Sequence, residues 1–258
     1  VRIIDAHVHL SDFKREEIED FIHEGYILVA VAEDYESSLK TLELRDLFPE
    51  NIKACIGIHP WKIKEQLNLE AELEKVLDLV RDADCIGEVG LDKKFVPENT
   101  LQDQLRIFNQ FVDAATKSGK PLNIHSAGAW GEVLDVLREK KAERVVLHWW
   151  TGPINLLKEI IQSGYYVTIN ASIKIQEKSR RIAEELPLNL ILTESDGPYN
   201  YRGLYLNPKL VPETLQILSR IKNVPLEDMK NKVWQNFLNL FNANRAKMMS
   251  TLGDEPPP

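Results

Sequence analysis

Short apolar or β-branched runs recur along the chain at about Arg2–His9, Ile27–Ala32, Lys53–His59, Cys85–Leu91, Pro121–His125, Arg144–Trp149, Tyr165–Asn170 and Leu190–Ser195, and each reads as a strand. Between them lie segments with helical periodicity and charged outer faces, among them Leu69–Asp82, Thr100–Ser118, Trp130–Lys140, Ile154–Ser163 and Lys174–Glu185. The turn signals Ser118-Gly119-Lys120-Pro121 and Ser163-Gly164 close two of these helices. Past the eighth run, Pro208–Ile221 and Leu226–Asn244 read as further helices, with Pro225 opening the second. Eight strands alternating with helices predict an α/β protein with a parallel sheet. Closure into a (β/α)8 TIM barrel uses all eight strands; an open doubly wound sheet is the alternative.

The polar residues at the ends of these runs favour closure. His7 and His9 (DAHVH), Glu88 (GEVGLD), His125 (NIHSAG), His148 (VLHWWTG) and Asp196 (TESDGPY) all fall at carboxyl ends of predicted strands. They come from strands one, four, five, six and eight, and only a closed barrel brings ends so distant in the chain to one point. Imidazole and carboxylate are ligands for Zn²⁺, Mn²⁺ and similar ions, and six of them exceed what one structural zinc uses. The expectation is two divalent ions, Zn, Mn or Mg. Side chains two apart share a strand face, so His7 and His9 sit together with Asp5 one step deeper, and Glu88, Gly90 and Asp92 share a face if their strand runs that far. Asp5 and Glu194 are therefore expected behind the ligands, where a carboxylate accepts the free N–H of an imidazole and fixes its tautomer.

Composition refines the picture. A chain of 258 residues, 43% hydrophobic, can bury one large core, which suits a barrel domain over 1–250 followed by a disordered proline-rich tail at 251–258. Cys55 and Cys85 lie in separate apolar runs without C-x-x-C spacing and read as buried, inert thiols in a reducing cytosol. No apolar stretch approaches the ~20 residues of a membrane span, and no charged leader precedes Val1, so the chain reads as soluble and cytoplasmic. A net charge of −8 without any basic block argues against a protein that wraps nucleic acid. Cations do follow the strands: Lys62 and Lys64, Lys93 and Lys94, Lys174 and Lys178, and Arg202. Four of five tryptophans (Trp61, Trp130, Trp149 and Trp150) lie within a few residues of a strand-end histidine, either to stack bases or to pack the barrel rim.

Taken in order, D-x-H-x-H, G-x-H-P, G-E-x-G-L-D, the fifth-strand I-H, H-x-x-x-G and T-E-x-D-x-P-Y resemble the TatD family of metal-dependent deoxyribonucleases, within the amidohydrolase superfamily. The resemblance spans Ile3 to about Phe241. It implies that His7, His9, Glu88 and Asp196 hold one ion while Glu88, His125 and His148 hold the other, with Glu88 bridging them. It also implies His59 at the mouth as a substrate contact. Two departures stand out: Ala127 occupies the place of an arginine usual in the family, and His148 is followed by Trp149-Trp150-Thr151. The chemistry implied is phosphodiester hydrolysis by a metal-activated water, with Asp196 as general base. Arg202 is the expected phosphate contact and Trp149 a base contact. The expected substrate is DNA ends or short single strands, with no membrane and no obligatory protein partner. A hydrolase of a small amide, ester or lactone is the second reading, and a metal-binding scaffold without activity the third. Glu88, standing where many amidohydrolases carry a carboxylated lysine, favours the TatD-like branch.

Overall fold

The computed structural model describes residues 2–63 and 68–242. The expected tail, Lys64 and the last two residues of the final predicted helix lie outside them.

Eight parallel strands run in chain order around one sheet: β1 (Ile3–Val8), β2 (Tyr26–Val31), β3 (Ile52–Ile56), β4 (Cys85–Gly90), β5 (Leu122–His125), β6 (Val145–Leu147), β7 (Tyr166–Ile169) and β8 (Ile191–Thr193). Nearly every strand residue is buried, as in a sheet covered on both faces. The strands stand where the apolar runs predict them, but several end earlier. His148 and Asp196 lie beyond the last ladder residue, on chain already leaving the sheet. The seam between β8 and β1 is closed by Thr193 Oγ1 donating to the Ile4 carbonyl (2.6 Å), Asp196 N to the His7 carbonyl (3.0 Å) and His9 N to the Gly197 carbonyl (2.8 Å).

The helices covering the sheet are α1 (Arg15–His23), α2 (Tyr35–Leu47), α3 (Pro60–Ile63), α4 (Leu69–Asp78), α5 (Leu101–Ser118), α6 (Trp130–Glu139), α7 (Leu157–Gln162), α8 (Glu177–Glu185), α9 (Val211–Lys222) and α10 (Leu226–Phe241). In α5, Ile107, Phe108, Phe111, Val112 and Ala115 form one buried stripe, and Gly119 ends the helix with a left-handed φ of 68°. Truncating Phe111 to Ala would cost about 3–5 kcal/mol. The predicted helix over Lys174–Glu185 divides into a 3₁₀ turn at Ala171–Lys174, capped by Asn170, and then α8.

Three features depart from the sequence reading. Cys55 and Cys85 are not free thiols but a disulfide: β3 and β4 are neighbours, the two residues are register partners, and their Cα atoms lie 4.3 Å apart. Residues 30 apart in sequence become partners only through strand pairing, so spacing alone conceals the bond. A bonded pair gives no indication of a reducing compartment. Second, the ladder slips by one residue between Asp5 and Val8 of β1 and between Ile86 and Val89 of β4, so strict alternation does not hold across His7 and Glu88. Third, β9 (Tyr199–Tyr201) and β10 (Leu204–Leu206) form a hairpin beyond β8. Its two turn residues, Arg202 and Gly203, both take positive φ (46° and 84°), as a type I′ turn requires.

Among the described residues no helix is long and apolar enough to cross a membrane.

Candidate metal centre and substrate pocket

Glu88 lies at the middle of the site, almost fully buried. Its Oε2 is 3.3 Å from both His7 Nε2 and His9 Nε2, each of which is 3.5 Å from Asp196 Oδ1. Its Oε1 faces a second set: His125 Nδ1 at 2.9 Å, His148 Nε2 at 3.0 Å and His59 Nε2 at 3.2 Å. Close strand approach makes this possible. A Cβ on Gly90 would lie 1.9 Å from the His125 carbonyl oxygen, so only glycine lets β4 and β5 meet there.

The remaining imidazole nitrogens have partners that define their tautomers. His7 Nδ1 is 2.8 Å from Asn123 Oδ1, and the Asn123 amide nitrogen donates to the Ala6 carbonyl, which orients that oxygen towards the ring. His125 Nε2 is 2.9 Å from Asp92 Oδ2. His148 Nδ1 faces Glu194 Oε2 at 3.5 Å, too long for a full hydrogen bond; Glu194 itself accepts from Thr168 Oγ1 and Asn170 Nδ2. Each acceptor favours a proton on the outer nitrogen and leaves the inner lone pair aimed at the centre. His59 is arranged the other way: its Nδ1 accepts from the Trp61 amide at 3.1 Å, so its neutral ring carries N–H at Nε2 and presents a donor.

Asp5 does not take the place expected for it. Its Oδ1 accepts from the backbone amides of Ser195 (2.9 Å) and His7 (3.3 Å), tying β8 to β1, and Asn123 meets the His7 ring instead. The slip in β1 is the physical reason. Burial raises the Asp5 pKa to about 7, outweighing these hydrogen bonds, so it is poorly suited to be a fixed negative partner. Asp92 and Asn123 are the polar partners that the sequence reading left without a role. A signal exists for both, since each lies in phase with a candidate ligand, Asp92 with Glu88 and Asn123 with His125.

Charge is concentrated here. Burial opposes ionisation of Glu88, yet His59, His148 and His7 hold its pKa well below the ordinary range. Burial likewise opposes protonation of His9 and His125. Hydrogen bonds to Asp196 and Glu88 raise His9 to about 10, and those to Asp92 and Glu88 raise His125 to about 9. His59 is lowered, chiefly by burial.

This donor set fits divalent cations. Two ligand atoms at about 2.0–2.2 Å from one ion stand about 3.0–3.5 Å apart in tetrahedral or octahedral geometry, and the distances to both Glu88 oxygens fall close to that range. Among the described residues His7 Nε2 is buried without a hydrogen-bond partner, a cost that a cation would relieve. Those of the described residues able to hold an ion form three overlapping groups: His7, His9 and Glu88; His59, Glu88 and His125; and His7, His148 and Glu194.

The centre floors a cavity of about 610 Å³. Aromatic walls rise above it. On one side are Trp61, Phe95 and Trp130; on the other, Trp149 lies 4.9 Å from Tyr201, beside Tyr199 of the hairpin. Trp150, by contrast, is buried against Trp130 and Gly152 and is a packing residue. His59 belongs to the floor, 3% exposed, and not to the mouth. Arg202 is on the wall, at the hairpin turn. Trp149, Asp196 and Arg202 take positive φ (36°, 55° and 46°), a costly backbone state that gathers at functional sites.

A barrel whose strand ends converge imidazoles on one buried carboxylate is the framework of a metal-dependent hydrolase. The model of the family described as TatD related DNase matches residues 4–242, and the chain belongs to that family. It is 29% identical over 252 residues to an uncharacterized metal-dependent hydrolase of Methanocaldococcus jannaschii, covering 93% of this chain and 97% of that protein. It is 27% identical over 263 residues to the human protein named deoxyribonuclease TATDN3, covering 93% and 95%. Among solved structures, a TatD homolog from Escherichia coli superposes with a TM-score of 0.83 at 21% identity, covering 93% of this chain and 98% of that one, a likeness of fold.

Proposed function

We propose that this protein is a two-metal phosphodiesterase acting on DNA ends or short single strands. The observation that carries this reading is the division of Glu88, one of whose oxygens faces His7 and His9 while the other faces His125 and His148. His7, His9, Glu88 and Asp196 would hold one ion, and Glu88, His125 and His148 the other. The ions, once bound, would supply Lewis acidity, acidifying water and neutralising charge on a phosphoryl group. Asp196, whose Oδ1 stands 3.5 Å from His7 Nε2 and His9 Nε2, is favoured in its ionised form by these imidazoles against the cost of burial, and would accept the proton of the attacking water. His59, whose Nε2–H meets Glu88 Oε1 at 3.2 Å, would also orient an oxygen of the substrate beside that carboxylate. Trp149 and Arg202 contact a base and a phosphate. Kinship supports the substrate class, since the human relative is named a deoxyribonuclease.

The test is hydrolysis of end-labelled single-stranded and duplex DNA by protein reconstituted with Mg²⁺, Mn²⁺ or Zn²⁺, beside a panel of small esters, lactones and amides. Release of nucleotides, faster from single strands because the site need not offset unpairing, supports the proposal. Turnover confined to the small-molecule panel would replace it.

A further inference from the structure

Six of the cations that follow the strands around the mouth lie within the described residues, and they divide cleanly. Lys62 pairs with Glu33 and Asp34 (3.5 and 3.4 Å), Lys93 with Glu132 (2.6 Å) and Lys174 with Glu213 (2.9 Å), and none of these three lysines lines the cavity. Lys94, Lys178 and Arg202 do line it, and among the described residues none of them pairs with a carboxylate, although Asp12, Glu33 and Glu177 share the wall. In a chain with 40 acidic and 32 basic residues, three cations left without partners in one cavity mark a place for an anion that is not part of the protein.

Two of the three act together. Lys94 follows β4 and Lys178 lies in the first turn of α8, yet partial burial and the charge of Lys94 both lower the Lys178 pKa. A lysine in a first helical turn also opposes the helix dipole. Each ammonium lies over an aromatic ring of the same wall, Lys94 Nζ 5.0 Å from the Phe95 centroid and Lys178 Nζ 5.5 Å from that of Trp130. Ala127 lies beside them, its carbonyl accepting from Lys93 N, and contributes no charge of its own. Two like charges held on a wall without a counter-ion cost stability, which a doubly contacted anion would restore.

We propose that Lys94 and Lys178 form a subsite for an internucleotide phosphate adjacent to the one being cut, with the ring of Trp130 available to the attached base. The inference rests on the nuclease reading, in which the scissile phosphate belongs to the carboxylate and imidazole floor. A substrate must then carry at least two internucleotide phosphates to use the whole site.

The test is fluorescence anisotropy of a labelled pentathymidylate with metal chelated, across a salt series, so that binding is read without hydrolysis. The Lys94→Ala/Lys178→Ala double variant is expected to weaken binding by about tenfold or more and to reduce the slope of log K against log salt by about 0.7, the value of one single-strand phosphate. Lys94→Arg/Lys178→Arg should restore both. Lys93→Ala/Lys174→Ala, which removes paired lysines outside the cavity, should change neither. Replacing one linkage of the probe by uncharged methylphosphonate should weaken wild type at one position and leave the double variant indifferent there. The proposal is overturned if wild type does not bind the probe at low salt, if the double variant binds like wild type, or if the outer pair matters equally. Binding that follows this pattern in a protein that releases no nucleotide with any metal would instead remove the nuclease reading and leave the phosphate subsite standing.

Discussion

The floor and the rim of the cavity solve different problems. On the floor most groups are buried and face a polar partner: Glu88 meets five imidazole nitrogens, His7 meets Asn123, His125 meets Asp92, and Glu194 meets Thr168 and Asn170. At the rim Phe95, Tyr199, Lys94, Lys178 and Arg202 are exposed, and among the described residues these cations pair with no carboxylate. Preorganisation matters where bonds break, because reorienting dipoles during reaction is costly. On the proposed reading the rim meets variable bases, for which flat rings and long cations that tolerate several poses are suited. Floor changes should therefore act on metal content and kcat, and rim changes on KM.

The sharpest test of that division is Glu88→Ala. Wild type saturated with Zn²⁺ or Mn²⁺ should hold two equivalents by metal analysis, and the variant at most one, weakly, with hydrolysis lost. At most one equivalent in wild type would refute the bridging arrangement. Next in size is Asp196→Asn, nearly isosteric yet unable to accept a proton: kcat should fall at least about 10²-fold with little change in Tm in the presence of metal. Wild-type turnover would remove Asp196 from the chemistry. Asp92→Asn keeps the shape but removes the charge behind His125, and should cost about 10–100-fold in metal affinity or activity, measured by metal titration. The smallest expected effect belongs to Trp149→Ala. Loss of one stacked base, about 1–3 kcal/mol, should appear in KM for oligonucleotides with metal content unchanged. A rim variant that lost its metal would break the comparison.

The sequence made the floor far more legible than what surrounds it. His7, His9, Glu88, His125, His148 and Asp196 stand out because ligand chemistry at strand ends is a strong, local signal, and the eight apolar runs that carry them are equally plain. Their supports were harder to read. Asp5 lies in phase with His7 by simple alternation, but the slip in β1 hands the His7 ring to Asn123, and no periodicity reveals where a ladder slips. The cysteine bond depends on which strands are neighbours and in what register. The hairpin was missed although it carries a signal: Tyr-Asn-Tyr and Leu-Tyr-Leu flank Arg202-Gly203, but three-residue strands are too short to read with assurance. Among the cations, sequence could list candidates yet not sort them, since pairing partners lie as far away as 39 positions, as for Lys93 with Glu132 and Lys174 with Glu213.

The seam between β8 and β1 has a bearing on when the protein becomes competent. The segments that close the barrel are those that present His7, His9 and Asp196, joined by backbone bonds between residues about 190 positions apart. Contacts of such long range are formed late, since the entropy of closing so large a loop must be overcome before they contribute. A growing or truncated chain that lacks the eighth strand has the first-strand histidines but not Asp196, which completes their group in the proposed arrangement. Its hydrolytic centre cannot assemble ahead of its fold. In the proposed arrangement the centre is incomplete until synthesis has passed residue 196, and an ion seated across the seam would act as a clasp between the two ends of the barrel.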